Sequence, residues 1–316
     1  PEVMGDSFAL MRNKMLEIGT KNPSCHRMDG YPTFQVLPLN FQGFKETYHT
    51  PPFARWTDGI NALWGMQHLL ELQGASPDAY REVYQFGREV YRTCFAPLYD
   101  ESDGLYRGQA SFIDIGHTGY PADFGRSRPH DDAFDNPAVY NRCLRIKATS
   151  TNCLYVAAFA SMASMAVKLG LDEEAATWRD QRDRLIAAIR SELRFDDGTL
   201  SYFKHTDGRL EPRQHALGTA FAVLTGTLEG RDAVRAIRDY PVLSFGVPLH
   251  HPFFDNDEAY HNNAAWPFVD NFFLMARERA TGEDESMRRI ALLAGAFQHG
   301  SFHEHTCFKP GEATLG

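Results

Sequence analysis

Hydrophobic and polar residues follow a pattern of paired helices along the chain. A segment that is apolar on nearly every side leads through a glycine into an amphipathic, charged segment, and this happens four times. The apolar segments are 58–74, 148–170, 213–230 and 260–282, and the amphipathic ones are 76–95, 171–193, 231–240 and 283–298. An apolar helix must be surrounded, whereas an amphipathic helix needs one covered face. The pattern therefore predicts an all-α fold, an α/α toroid with inner helices walled by outer ones.

Glycines mark the breaks within the pairs, at Gly74, Gly170, Gly230 and Gly282, as residues that end helices do. Two Gly-bearing stretches, 99–108 and 195–210, predict small β-hairpins at the rim. No linker divides the chain, so we expect one domain over 1–316. An irregular helical bundle and a two-helix solenoid are the alternatives, and the absence of a residue-level consensus between pairs disfavours the solenoid.

The stretch from Ala148 to Val167 contains no charged residue and is long enough to cross a membrane. Its Ala, Ser and Thr content and Asn152 favour a buried helix of a soluble protein instead. No signal or transmembrane segment is otherwise visible, so we expect no membrane partner. Cellular location and oligomeric state are not predicted.

Charge and cysteine usage exclude further classes. The net charge of -9 argues against a nucleic-acid partner, which requires a dense basic surface. The five cysteines are scattered without a CxxC pair, so neither a zinc site nor a disulfide framework is predicted. Aromatic residues make up 13% of the chain, and Trp56, Trp64 and Trp266 lie in the segments with candidate chemistry. Sugar-binding clefts use such rings as apolar platforms.

Polar residues gather before the inner helices, where the pocket of a toroid lies. Asp58 follows Trp56 and fits either a helix N-cap or a carboxylate that binds sugar hydroxyls. The loop 114–152 is long enough to be functional and carries Asp114, Asp123, Arg126, Arg128, His130, Asp131, Asp132 and Asp135. Clustered carboxylates raise one another's pKa, which keeps an acid protonated near neutral pH. A metal ion bound by the same residues is an alternative, although no calcium-loop or zinc-helix motif is present.

Two later segments carry further candidates. In 243–273, His250, His261 and Asn262 precede an apolar helix that begins near Trp266 and a proline. In 301–316, Glu304 stands between His303 and His305, among phenylalanines. A glutamate among aromatic and imidazole groups is a candidate general base.

The motifs RWTDG, DDAFDNPAVYN, YHNNAAWPF and HEHTCFKPGE, in this order, resemble those of the six-hairpin (α/α)6 glycosidases, in particular glycoside hydrolase family 63 and its trehalase and rhamnosidase-like relatives. The resemblance implies that Glu304 is the general base and Asp135 the general acid. Because Pro137 follows Asn136 directly, Asp132 and Asp123 are alternatives for the acid. We expect the sugar to be bound by Trp56, Asp58, Trp64, Arg126, His130, His261, Asn262, Trp266 and His303.

The resemblance also implies inverting hydrolysis of a glycoside or oligosaccharide, without a cofactor or a metal ion. It implies twelve helices, whereas the pattern predicts about nine, so we expect an incomplete toroid whose final inner helix would follow Gly316. A polysaccharide lyase is a rival, because Arg126, Arg128 and His130 would suit a uronate. An inverting phosphorylase, a sugar epimerase and a non-catalytic glycan-binding domain are further rivals.

Overall fold

The computed structural model describes residues 26–28, 31–33, 58–112, 120, 145–243, 246–255, 261–262, 264–296 and 306–307. Eight α-helices lie within these ranges. They are α1 (Asp58–Leu72), α2 (Pro77–Val90), α3 (Thr149–Lys168), α4 (Asp172–Glu192), α5 (Ala216–Leu224), α6 (Gly230–Asp239), α7 (Pro267–Thr281) and α8 (Ser286–Ala296). All four predicted helix pairs are present. A π-helical turn, Tyr91–Phe95, and a 3-10 turn, Ala96–Leu98, continue α2.

Short strands form five antiparallel pairs in the described ranges. They are β1 (His26–Met28) with β2 (Tyr31–Thr33), β3 (Tyr99–Asp100) with β4 (Leu105–Tyr106), β5 (Ile146–Ala148) with β6 (Phe203–His205), β7 (Gln214–His215) with β8 (His250–His251), and β9 (Ala264–Ala265) with β10 (Thr306–Cys307). The hairpin predicted over 99–108 is confirmed as β3–β4. The hairpin predicted over 195–210 is confirmed in part: antiparallel bridges from Arg194 to Leu200 and from Lys204 to Leu210 close two short turns, and β6 itself pairs with β5.

Helices α1, α3, α5 and α7 form the inner row and pack side by side in that order. Sixteen of the twenty residues of α3 are buried, against four of the twenty-one residues of α4, which distinguishes an inner from an outer helix. Ser161 of α3 lies 3.5 Å from Gln67 of α1, and Phe221 of α5 contacts Phe272 of α7 with ring centroids 5.2 Å apart. Glu71 of α1 lies near Ser164 of α3, one turn further along both helices, and Gly218 at the start of α5 lies against Thr149 at the start of α3. The strand residues that directly precede α5 and α7 are linked through 248–249, so the inner helices run parallel and begin at one common end.

Helix α3 is long and apolar enough to cross a membrane, but 83% of its apolar window is buried inside the protein. Its neighbours are the inner helices α1 and α5 and the outer helices α2 and α4. The predicted buried helix is therefore confirmed.

A layer of short strands covers the common end of the inner helices. Strands β5, β7 and β9 directly precede α3, α5 and α7, and each pairs with a strand that follows the next outer helix. Neighbouring pairs are joined by a bond from the Tyr202 N–H to the Arg213 carbonyl and by a bridge between Pro248 and Ala265. We call the residues 105–112, 146–152, 200–205, 213–216, 246–251 and 261–270 the N-terminal layer.

A buried ion-pair network fixes the β3–β4 turn to this layer. The Lys147 ammonium group donates to Asp100 and to Asp103 at 2.7 Å, and Lys204 donates to Asp103 at 2.9 Å and to Glu192 at 2.7 Å. The side chains of Lys147 and Asp103 are 6% and 7% exposed. Burial alone raises the pKa of Asp100, but hydrogen bonds from Lys147, Ser102 and Arg107 place this pKa well below its ordinary value.

Asp103→Ala is expected to lower the free energy of unfolding by about 3 kcal/mol, because it leaves two largely buried ammonium groups with fewer partners. Asp180→Ala is the matched control, since Asp180 pairs with Arg184 on the exposed face of α4. The control should cost less than about 0.5 kcal/mol. Urea unfolding at pH 7 measures both, and equal effects would show that the network contributes no more than a surface pair.

Candidate functional site

The structure describes the side chains of four predicted site residues: Trp64, His261, Asn262 and Trp266. Asp58 is described as the first residue of α1, at the common end of the inner helices. The remaining predicted site residues lie outside the described ranges and stay predictions. They are Trp56, Asp123, Arg126, His130, Asp132, Asp135, His303 and Glu304.

His261, Asn262 and Trp266 come together at the start of α7. All three are buried, and the His261 ring stacks on Trp266 with centroids 5.8 Å apart and an interplanar angle of 15°. Asn262 accepts the Phe254 N–H and donates to the Phe254 carbonyl, each at 2.8 Å. This two-way bond fixes the turn before α7, which positions the histidine over the indole ring.

Phe112 joins the start of α7 to the start of α3. Its ring lies edge-on to Trp266 and to Phe268, with centroids 4.6 Å and 4.5 Å away. The preceding N–H, of Ser111, donates to the Ser150 hydroxyl in the first turn of α3. Phe112 has a φ of 74°, a conformation that costs energy for a bulky residue and persists only where packing enforces it. The two helix starts are therefore held together across the N-terminal layer.

Trp64 lies further along α1, away from the common end of the inner helices. It is half-buried, and its ring contacts Phe221 of α5 edge-on at 6.1 Å. Six residues of helix separate it from Asp58, which corresponds to about 9 Å along the axis of α1. This position favours packing between inner helices for Trp64.

A buried cluster of histidines lies at the centre of the N-terminal layer: His215, His250 and His261. His215 and His250 are register partners in the β7–β8 pair, and their rings are 5.5 Å apart. The Tyr202 ring lies 5.1 Å from His215 and 4.8 Å from His250. The sequence interpretation missed His215, because it placed 213–230 in a single helix. The available signal was a histidine directly before an apolar helix, the position that distinguishes the segment around His261.

His215 is neutral at physiological pH. Burial, with a smaller contribution from the nearby His261, lowers its pKa to about 3. Neither of its ring nitrogens has a hydrogen-bond partner among the described residues, and the same holds for the buried side-chain amide oxygen of Gln109, whose backbone carbonyl accepts from Thr151 of α3. Buried polar groups nearly always have such a partner. The layer therefore has unused hydrogen-bonding capacity within the described part of the chain.

Asp270, in the first turn of α7, was also missed from the sequence. Burial raises its pKa to about 7, even though the Val247 N–H donates to its Oδ1 at 2.6 Å. Gly246 has a φ of 138°, and a Cβ atom there would lie 2.7 Å from the Ala265 Cβ and 2.8 Å from Asp270 Oδ2. Only glycine permits this approach, so Asp270 binds the 246–247 backbone closely against α7.

His215 and Asp270 should give opposite pH dependences of stability. In the unfolded chain His215 is protonated below about pH 6.5, whereas in the folded protein its pKa is about 3. Because the unfolded state binds the proton first, this group lowers the free energy of unfolding as the pH falls. Folded Asp270 takes up a proton below about pH 7 and the unfolded chain only below about pH 4, so this group raises stability as the pH falls.

Between pH 7 and pH 4.5, His215→Gln is expected to gain about 3 kcal/mol of unfolding free energy relative to wild type, and Asp270→Asn to lose about 3 kcal/mol. Urea unfolding at the two pH values measures each change. Each substitution also changes the free energy of unfolding by an amount that does not depend on pH, and comparing the change between the two pH values removes that amount. Identical slopes in all three proteins would contradict the assigned protonation states.

No group of three His, Cys, Asp or Glu side chains is placed to bind a metal ion among the residues that the structure describes. The aspartates of the loop 114–152 are outside that statement, because they lie in 113–119 and 121–144.

The fold is similar to those of solved glycoside hydrolases. The GH63 mannosylglycerate hydrolase from Thermus thermophilus, in complex with glucose, matches with a TM-score of 0.62 and 13% identity over 95% of this chain and 84% of that one. Neutral trehalase Nth1 from Saccharomyces cerevisiae matches with a TM-score of 0.57 and 15% identity over 79% of this chain and 58% of that one. A sialidase matches with a TM-score of 0.58 and 15% identity over 77% of this chain, which spans 23% of the sialidase.

The sequence itself matches no protein-family model and no curated protein. At these identities the similarity shows the fold. The predicted resemblance to the helical fold of family 63 and trehalase structures is confirmed. The described ranges contain four inner and four outer helices of that fold.

Proposed function

We propose that this protein is a glycoside hydrolase that cleaves a glycosidic bond with inversion, in a pocket at the N-terminal layer of an (α/α)6 toroid. Glu304 is the general base. Asp135 is the general acid, with Asp132 and Asp123 as the alternatives. The proposal draws on the four sequence motifs and on the similarity of the fold to solved glycoside hydrolases.

One observation carries the proposal: both segments that hold the catalytic carboxylates are attached to the same layer. Strand β10 begins two residues after Glu304 and pairs with β9, directly before α7. The three candidate acids lie between Tyr120 and β5 in the sequence. The Tyr120 hydroxyl accepts the Ala110 N–H of the N-terminal layer, and β5 belongs to that layer and directly precedes α3. Because α3 and α7 start at the same end, this attachment supports an acid and a base that share one pocket.

The start of α1 supports the sugar-binding role of Trp56 and Asp58. Helix α1 runs parallel to α3, since Gln67 and Glu71 of α1 lie near Ser161 and Ser164 of α3 in turn. Asp58 therefore begins its helix at the end where the proposed pocket lies.

The reaction follows from the two carboxyl groups. The acid protonates the glycosidic oxygen, and the base removes a proton from a water that attacks the anomeric carbon from the opposite face. We expect the two carboxyl groups to be about 6.5–9.5 Å apart, which leaves room for that water. The sugar is bound by Trp56, Asp58, Arg126, His130, His261, Asn262, Trp266 and His303.

The proposal is tested with a panel of p-nitrophenyl glycosides and common disaccharides, assayed for released sugar. Proton NMR of the first product then identifies the anomer. We expect hydrolysis with inversion. A retained anomer would contradict the mechanism, an unsaturated uronate product would identify a lyase, and turnover that requires phosphate would identify a phosphorylase. Binding of a sugar without any turnover would favour a glycan-binding domain.

A further inference from the structure

His215 combines deep burial with unused hydrogen-bonding capacity. It is the N-cap residue of α5, yet its side chain makes no capping bond to that helix. Its exposed fraction is 1%, and neither ring nitrogen has a partner in the described part of the chain. Leaving a buried polar group unpaired costs free energy. A buried imidazole with two unpaired nitrogens therefore points to a partner that arrives with a ligand.

The position of His215 is central to the proposed pocket. Helix α5 lies between α3 and α7 in the inner row. On one side, the Tyr202 N–H donates to the Arg213 carbonyl, and the Thr149 N–H donates to the Tyr202 carbonyl. These two bonds connect the segment before His215 to the end of β5, which follows the loop with the candidate acids. On the other side, the bridge from Pro248 to Ala265 leads to β9 and so to the Glu304 segment. His215 thus lies between β5 and β9, the two described strands next to which the proposed catalytic segments enter or leave the layer.

The described surroundings of His215 suit an uncharged ligand. Its ring neighbours are Tyr202, from the residues before β6, and His250, from β8, and His261 lies near enough to lower its pKa. No described lysine, arginine or carboxylate forms a hydrogen bond with its ring nitrogens. The imidazole is therefore neutral, with one donor nitrogen and one acceptor nitrogen.

We propose that His215 binds a hydroxyl group of a neutral sugar, donating through one ring nitrogen and accepting through the other. This contact rests on the proposed function, because it names a ligand residue and a substrate class for the same site. A hydroxyl group both donates and accepts, which matches the neutral ring. A carboxylate accepts only, so it would leave one nitrogen unpaired or require a buried charge. The contact therefore fits a sugar hydroxyl, and burying the carboxylate of a uronate beside these uncharged rings would cost free energy, so a neutral glycoside is favoured.

The test follows the ring nitrogens of His215 directly. Protein labelled with 15N-histidine is titrated with D-glucose, which is bound in one of the similar solved structures, with D-mannose and L-rhamnose, and with D-glucuronate as the anionic probe. The His215 signals are assigned by their loss in His215→Gln. We expect at least one neutral sugar to shift both His215 ring signals, and D-glucuronate to bind at least about tenfold more weakly.

Variants of His215 then distinguish loss of the proposed hydrogen bonds to the sugar from a general loss of folding. His215→Phe removes both hydrogen bonds and should weaken binding of the neutral sugar about tenfold or more, whereas His215→Gln keeps a donor and an acceptor and should weaken it about two- to threefold. His68→Gln is the matched control, because His68 is exposed on α1, and its affinity should be unchanged. Circular dichroism and thermal unfolding check each variant, and the wild-type ring signals decide the question if His215→Phe does not fold.

Unmoved ring signals with every neutral sugar, wild-type affinity in His215→Phe, or equal affinity for D-glucuronate would each overturn the inference. These outcomes differ from failure of the proposed function. Sugar binding at His215 without turnover would contradict the hydrolase and leave the contact standing. Turnover of a glycoside by His215→Phe with the wild-type KM would contradict the contact and leave the hydrolase standing.

Discussion

Glu304→Gln is expected to lower kcat by about 10³-fold or more on the glycoside that the substrate panel identifies. The amide of glutamine has nearly the size of the carboxylate but cannot remove a proton from the attacking water, and general acid–base catalysis contributes about 10²–10⁴-fold. The fold should be preserved, because the substitution changes neither the volume nor any helix of the inner row. Steady-state kinetics and thermal unfolding measure the two effects.

Glu312→Gln is the matched control for this substitution. Glu312 follows Glu304 by eight residues, in the same terminal segment, and the change in charge is the same. We expect its kcat to stay within about twofold of wild type, since no step of the proposed reaction uses it. A kcat near the wild-type value in Glu304→Gln would remove this glutamate from the role of base.

Asp135→Asn is expected to lower kcat/KM by about 10³-fold on substrates whose leaving group is an alcohol or another sugar, because such an oxygen must be protonated as the bond breaks. The loss should be much smaller on a 2,4-dinitrophenyl glycoside, whose leaving group departs without a proton. This dependence on the leaving group distinguishes the acid from a residue that only binds sugar.

Asp132→Asn and Asp123→Asn are measured in parallel with the same two leaving groups. If the leaving-group dependence appears in one of these variants instead, the acid is that residue. If none of the three variants shows it, the acid is none of these three aspartates, and the assignment drawn from the motif DDAFDNPAVYN to Asp135 or Asp132 is wrong.

The helix pairs could be predicted because the buried faces of a helix determine which of its sequence positions are apolar. Inner helix α3 is buried on nearly every side and outer helix α4 on one, and the hydrophobic pattern has the same asymmetry. The predicted helix start at 213 was wrong, since strand β7 precedes that helix, whereas the helix start predicted near Trp266 is confirmed. A two-residue strand has no detectable period, and its conformation depends on a partner far along the chain.

The grouping of candidate site residues could be predicted where those residues are close together in the sequence. His261, Asn262 and Trp266 stand within six positions of one another, and the structure brings them together. His215 could not be found in this way, because its neighbour His250 is distant in sequence and joins it only through the β7–β8 register. Asp270 was missed for the same reason, since its raised pKa results from burial, and Gly246, which lies close to its carboxylate, is distant in sequence.

The strand pairs have a consequence for how such a protein acquires a new substrate. The strand pairs β3–β4 and β5–β6 form all their backbone hydrogen bonds without the residues between Tyr120 and Arg145. The segment 121–144 therefore connects two strand pairs whose pairing does not depend on it. Exchanging that connection for one of different length leaves the backbone ladders and the inner helices in register. Under the proposed function, loop grafting between two proteins of this fold is thus a direct route to altered sugar preference.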